Sequence, residues 1–246
     1  MGDLAQPHSV PTVPGSFFTD HCHRKHERPV RTNSHPIRVY DPKWNELYHG
    51  RVSDIIDSCD CCSDNKMRIG IATAGKLGAS GGRVDGDTIV VSIAAACKNV
   101  GDSGPRAACG AFHIPGSAKN EGLIVPDLPQ NKQAADIYAA TSVLQDILKF
   151  LVSPTSTKED KPSVRLCKIL ILTESHTLVQ GISSDAFWKW KEEDDFEMSK
   201  KHEMANGKLL MALDDTIEKF RNERKIPVWF WLVDRGTLED ARTLAN

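Results

Sequence analysis

Ile89-Val90-Val91-Ser92-Ile93-Ala94-Ala95-Ala96-Cys97-Lys98-Asn99-Val100-Gly101 is the stretch on which the fold turns. Its opening residues Ile89, Val90, Val91, Ile93 and Ala94 are β-branched or apolar and surround one small polar residue, Ser92. No charge interrupts them, and such a run suits a strand covered on both faces. Gly101 and Asp102 then mark an exit loop.

Working outward, further apolar runs follow at Arg106 to Ile114 and at Gly122 to Val125. The segment from Ala134 to Leu144 places Ala135, Ala139, Val143 and Leu144 at helical spacing, so one helix face should lie on the sheet. A strand is expected at Lys168 to Ser175, a helix at Gly207 to Phe220 and a last strand at Val228 to Arg235. The polar insertion from Leu151 to Pro162 reads as a mobile loop.

The chain has 246 residues, 40% hydrophobic and 26% charged, which suits one large domain or a domain with an appendage. A net charge of −2 gives no global pull toward nucleic acid, so any such site must be a local patch. No run approaches a membrane span, and the start lacks a secretory leader's apolar core. The expectation is an intracellular protein, cytoplasmic or nuclear, with its seven cysteines reduced.

Residues 1–36 are rich in Pro, His, Ser, Thr and Arg and read as a disordered or loosely ordered arm. Residues 37–86 form an N-terminal extension and a Gly-rich linker, in which Ile37 to Tyr40 alternates like a short strand at the edge of the main sheet. The main domain is expected over 87–246. The run Gly75 to Gly86 lacks the order of a phosphate loop and precedes a strand rather than a helix, so it reads as a linker. Two clusters are candidate zinc ligands: Cys59 and Cys62 at C-x-x-C spacing, joined by His23 and His26 from the arm. The opposing reading is shared composition alone, since no second C-x-x-C exists.

The order of these pieces resembles the type 1 ribonuclease H family, from about Ile89 to Asn246. The resemblance rests on Ala94 to Gly101, on Arg106 to Phe112, on Ala134 to Leu144, on Thr173-Glu174-Ser175, on Trp188-Lys189-Trp190, and on the closing Asp240 to Ala245. It implies an α/β fold with a mixed five-stranded sheet flanked by helices. It also implies hydrolysis of the RNA strand of an RNA–DNA hybrid by two Mg²⁺ ions about 4 Å apart, held by four carboxylates.

Those carboxylate positions are degenerate. Ala94 stands at the first, Asp136 replaces a glutamate at the second, Glu174 an aspartate at the third, and Arg242 the fourth. A cluster of nominal charge −4 becomes −1, and the two length swaps move each oxygen by roughly 1.5 Å. A permanent guanidinium sits where cations must collect. The expectation is a catalytically inactive scaffold that binds nucleic acid or a protein, with Mg²⁺ not bound and Arg242 paired to Asp136, Glu174 or both. The alternative is a divergent hybrid ribonuclease with weak residual activity, with Asp136 and Glu174 as its metal ligands. Lys98, Asn99, Arg106, Ser175 and Lys189 are the candidate nucleic-acid contacts that the resemblance implies. The acidic run at Glu192 to Glu197 opposes phosphate, and Trp188 and Trp190 are open to core packing or base stacking.

Overall fold

In the computed structural model, the apolar stretch begins at the second residue of a strand twelve residues long, Thr88–Asn99, whose first eight side chains are all buried. The described residues are 35–36, 38–45, 47–59, 64–73, 76–85, 87–99, 101, 104–126, 129–152, 166–192 and 206–246. Among them the strands are β1 (Ile56–Cys59), β2 (Asp64–Thr73), β3 (Lys76–Val84), β4 (Thr88–Asn99), β5 (Pro105–Phe112), β6 (Glu121–Ile124), β7 (Lys168–Thr173) and β8 (Val228–Leu232). The helices are α1 (Lys132–Val152), α2 (His176–Ser183), α3 (Asp185–Glu192), α4 (Gly207–Lys219) and α5 (Glu239–Leu244).

Strand β4 is central because its two halves serve different neighbours. Thr88 to Ser92 pairs in parallel with β7, while Ser92 to Asn99 pairs antiparallel with β5. Outward from there, β5 carries β6 antiparallel and β7 carries β8 parallel. This is the expected mixed five-stranded sheet, β6-β5-β4-β7-β8, flanked by helices. Three further strands extend it to eight: β2 bridges β4 at Asn65 and Val90, and carries β1 on one edge and β3 on the other.

Side-chain alternation sends the sheet into two cores. Ile89, Val91, Ile93 and Ala95 meet α1 through Ala135, Ala139, Val143 and Leu144, the helix face read from the sequence. Val90, Leu170, Leu172 and Trp231 meet Tyr40, Ile55, Met67 and Leu238 on the other face. That second core is largely built by the N-terminal extension. Its first segment adds a parallel bridge to the sheet, with Tyr40 N–H donating to Phe230 O and Phe230 N–H to Arg38 O.

Helix α5 crosses the second face over a trough of small residues. Ala94, Gly110 and Gly122 are cross-strand neighbours on β4, β5 and β6. A Cβ on Gly110 would lie 2.1 Å from Ala241 O, and one on Gly122 would lie 2.3 Å from Leu244 O. Only a residue without a Cβ admits the helix at that distance.

One expectation changes here. Of the run Gly75 to Gly86, Lys76–Val84 is strand β3 and pairs with β2, so it is no linker. Glycine weakens a strand, but the ladder needs only backbone groups, and β2 supplies them. Of the two readings open for Trp188, the structure takes core packing: on α3 it is buried, edge-on to Phe187 and stacked on His35 at 4.8 Å, with the Arg38 guanidinium 4.5 Å from its ring. Arg38 itself is buried, bonds Asp214, Glu218 (3.0 Å) and Ile182 O, and so ties the extension to α4. The insertion at 153–165, and the arm save for His35 and Pro36, lie outside the described residues.

Candidate functional site

Two sequence-predicted carboxylates come together where α1 begins and β7 ends. Asn131 starts α1 by accepting from Ala134 N–H at 2.9 Å, which fixes the first turn and carries Lys132 and Asp136 on one face, four residues apart. Glu174 follows the last residue of β7, and Ser175 caps α2 by accepting from Leu178 N–H at 3.3 Å. Lys132 then lies between the two acids: its Nζ is 3.0 Å from Glu174 Oε1 and 3.7 Å from Asp136 Oδ2.

Asp136 is only 2% exposed, and its Oδ1 has no hydrogen-bond partner. Burial pushes its carboxyl above the usual carboxylate range. Lys132 and a bond from the Ser175 hydroxyl pull the other way, and the neighbouring Glu174 charge adds to the rise. Beside it on β5, burial followed by the charges of Asp136 and Glu121 pushes the Cys109 thiol up to about 12, so this cysteine stays a neutral core residue.

The other two positions of the expected quartet do not join this pair. Continuing the β4–β7 register from Ser92 and Leu172 brings Ala94 level with Glu174, but the methyl is fully buried on the face that α5 covers. Arg242 was expected to pair with Asp136 or Glu174. Its guanidinium instead reaches Glu239 at 3.3 Å, one turn back on its own helix. The physical reason is local: an i, i+3 partner is always within reach, and Lys132 already supplies the cation between the two acids.

The fold family implies magnesium, and the donor set does not fit a two-ion site. Two carboxylates share one ammonium, the first position offers no oxygen, and the described residues contain no group of three or more His, Cys, Asp or Glu that could hold a metal ion. Cys62, His23 and His26, the other candidate zinc ligands with Cys59, lie outside the described residues. Cys59 ends β1.

Of the candidate nucleic-acid contacts, the fold gathers Lys98, Asn99 and Arg106 at the turn end of the β4–β5 hairpin. Lys98 faces Arg106 and Asn99 faces Pro105 across the strands, and all are exposed. Gly101 and Gly104, both at positive φ, turn the chain there. Lys98 Nζ donates to Asn246 O at 3.1 Å. Ser175 is buried, with its hydroxyl engaged by Asp136 and by the α2 cap. Lys189 is exposed on α3.

Sequence reasoning passed over two features. Lys132 had a readable signal, since it stands four residues before Asp136 on a predicted helix. The other is a second buried carboxylate, Asp64 on β2. Its oxygens receive Lys119 Nζ at 2.8 and 2.9 Å and lie 3.0 Å from His113 Nδ1. Burial alone would raise its pKa, but the bonds from His113 and Lys119 and the Lys119 charge hold its carboxyl below the usual range. No sequence pattern links residues 64, 113 and 119.

No protein-family model matches the chain, and no curated protein matches it. Among solved structures it is similar to ribonuclease H1 from the halophilic archaeon Halobacterium salinarum, at 13% identity and a TM-score of 0.38, covering 64% of this chain and 93% of that one. It is also similar to the N-terminal ribonuclease H domain of Rv2228c from Mycobacterium tuberculosis, solved as a fusion with maltose-binding protein, at 15% identity, TM-score 0.35, and coverage of 63% and 95%. A third is the foamy viral protease-reverse transcriptase in complex with an RNA/DNA hybrid, at 11% identity, TM-score 0.42, and coverage of 71% and 21%.

Proposed function

We propose that this chain is a ribonuclease H-like scaffold without hybrid-cleaving activity, which binds nucleic acid along the hairpin end carrying Lys98, Asn99 and Arg106. The observation that carries the reading is the Lys132 ammonium between Asp136 and Glu174. An ammonium there neutralises the two acids as a metal would, but it cannot activate a water or a leaving oxygen as two Mg²⁺ ions do. The buried methyl of Ala94 supports the same reading, because it offers no oxygen to bridge a pair of ions.

A second reading, a divergent RNA–DNA hybrid ribonuclease with weak activity, is favoured by one observation. Asp136 Oδ1 is buried without a partner, which is an open ligand position beside a second carboxylate.

Cleavage of a labelled RNA–DNA hybrid in Mg²⁺ and in Mn²⁺ separates the two. The expected result is no cleavage in either metal, and turnover abolished by Asp136→Asn would establish the second reading. Binding is followed in parallel as hybrid affinity against salt. Lys98→Ala and Arg106→Ala are each expected to lower the slope of log K on log salt by about 1. An unchanged slope in both removes the hairpin end from the interface. Combined restoration, Ala94→Asp, Asp136→Glu, Glu174→Asp and Arg242→Asp together with Lys132→Ala, then asks whether the scaffold supports chemistry once the donors return.

A further inference from the structure

A cavity of about 440 Å³ lies between α1 and the β5–β6 strands. Its walls are apolar, with Ile89, Leu123, Val143 and Ile147 among them, and the exposed ring of Phe150 also lines it. The volume is that of a small-molecule site, and one end is polar.

That end is His113, whose backbone is held by two asparagines and whose ring is held by Asp64. His113 N–H donates to Asn120 Oδ1 at 2.8 Å, and its carbonyl accepts from Asn65 Nδ2. Ring Nδ1 faces Asp64, whose negative charge selects the tautomer with the proton on Nδ1. On the neutral imidazole Nε2 then presents a lone pair, and among the described residues none is hydrogen-bonded to it. Lys119 is committed to Asp64, both ends of Asn120 are used, and Asp146 is paired with Lys149. The polar groups of the lining without a hydrogen bond are His113 Nε2, the Ser142 hydroxyl and the Glu121 carboxylate. All three accept hydrogen bonds.

We propose that this cavity binds a small aromatic molecule carrying a hydroxyl or N–H group, which donates its hydrogen bond to His113 Nε2. The apolar walls supply affinity, and the fixed imidazole supplies orientation. Fixing the buried His113–Asp64 pair costs desolvation that an apolar cluster would avoid. The preorganised, unused Nε2 is what that pair provides.

The test uses the full chain and two probes of one shape, indole, which has an N–H donor, and benzofuran, which has none. Methyl signals of Ile89, Leu123, Val143 and Ile147 and the His113 ring are followed by NMR. Indole is expected to saturate them with a Kd of about 1 mM, as befits so small a ligand. Benzofuran should bind about tenfold more weakly, the loss expected for one hydrogen bond to a buried acceptor. His113→Phe should erase that difference, and Ser142→Trp, which fills the space from a half-exposed helix position, should abolish binding of both probes. Equal affinities in the wild-type chain overturn the proposal, as do shifts absent from these methyls or binding undiminished by Ser142→Trp. Should His113→Phe not fold, the probe pair and the tryptophan variant still decide.

Discussion

Asp64 and Asp136 are buried to nearly the same degree, 4% and 2% exposed, yet burial has opposite consequences for them. Asp64 receives bonds from an imidazole and an ammonium on both its oxygens, and its carboxyl is held below the usual range. Asp136 has one ammonium at 3.7 Å, one hydroxyl, a like charge beside it and an oxygen with nothing, and its carboxyl is pushed up. Burial sets the size of the cost, and partners set its sign. A carboxylate that is fully bonded is a strut. One left with an open oxygen is where a ligand or a proton belongs.

The largest effect that would break this comparison is removal of the strut. Asp64→Ala leaves His113 without its carboxylate inside the protein and is expected to cost about 3 kcal/mol in urea unfolding at pH 7. The value is kept at the low end because the Lys119 side chain is 41% exposed and can turn to water. A loss below about 1 kcal/mol would reduce Asp64 to an ordinary surface-type pair.

The next change should have the opposite sign. Asp136→Asn keeps the shape and removes a charge that burial disfavours, so the variant is expected to gain roughly 1 kcal/mol at pH 7. The pH dependence separates the two acids further. Asp136 has a raised folded pKa, so its contribution is present below the unfolded value of 3.8 and is lost as pH rises through the higher folded value. Asp64 has a lowered folded pKa, so its contribution is present above 3.8 and is lost as pH falls through the lower folded value. Stability against pH should therefore lose its decline just above pH 3.8 in Asp136→Asn while keeping its acid limb below that pH. A variant less stable than wild type at pH 7 would show that Asp136 is held by partners after all.

The smallest effect sharpens the comparison from the side of the cation. Lys132 is 46% exposed, so Lys132→Met is expected to cost only about 0.5 kcal/mol. It should nonetheless move the Asp136 titration midpoint further up, because the first counteracting influence on that carboxyl is the Lys132 charge. Carbon-detected NMR titration of the carboxyl carbon reads this directly. A midpoint that falls would mean that Lys132 does not act on Asp136.

Legibility differed with the range of the interaction. The β4 run and the α1 face were readable because burial on a strand or helix repeats every two or every 3.6 residues within one short segment. Asp136 and Glu174 were readable as a pair only through the family resemblance, and Lys132 was missed although it lies one helical turn from Asp136. The Arg242 partner was misread because a replaced carboxylate suggested a replaced contact, while a shorter-range partner, Glu239, was available on the same helix. Strand β3 was hidden because its glycines carry no pattern.

The amino-acid order alone determined the central strand, the helix that covers it and the absence of an oxygen at position 94, since each is a property of residues close together in the chain. Only the folded arrangement decided where charges are balanced: Arg38 meets Asp214 across 176 positions, and Asp64 meets His113 across 49. The reason is that apolar burial leaves a local periodic trace, while an ion pair inside a protein is fixed by which distant segments the sheet brings side by side.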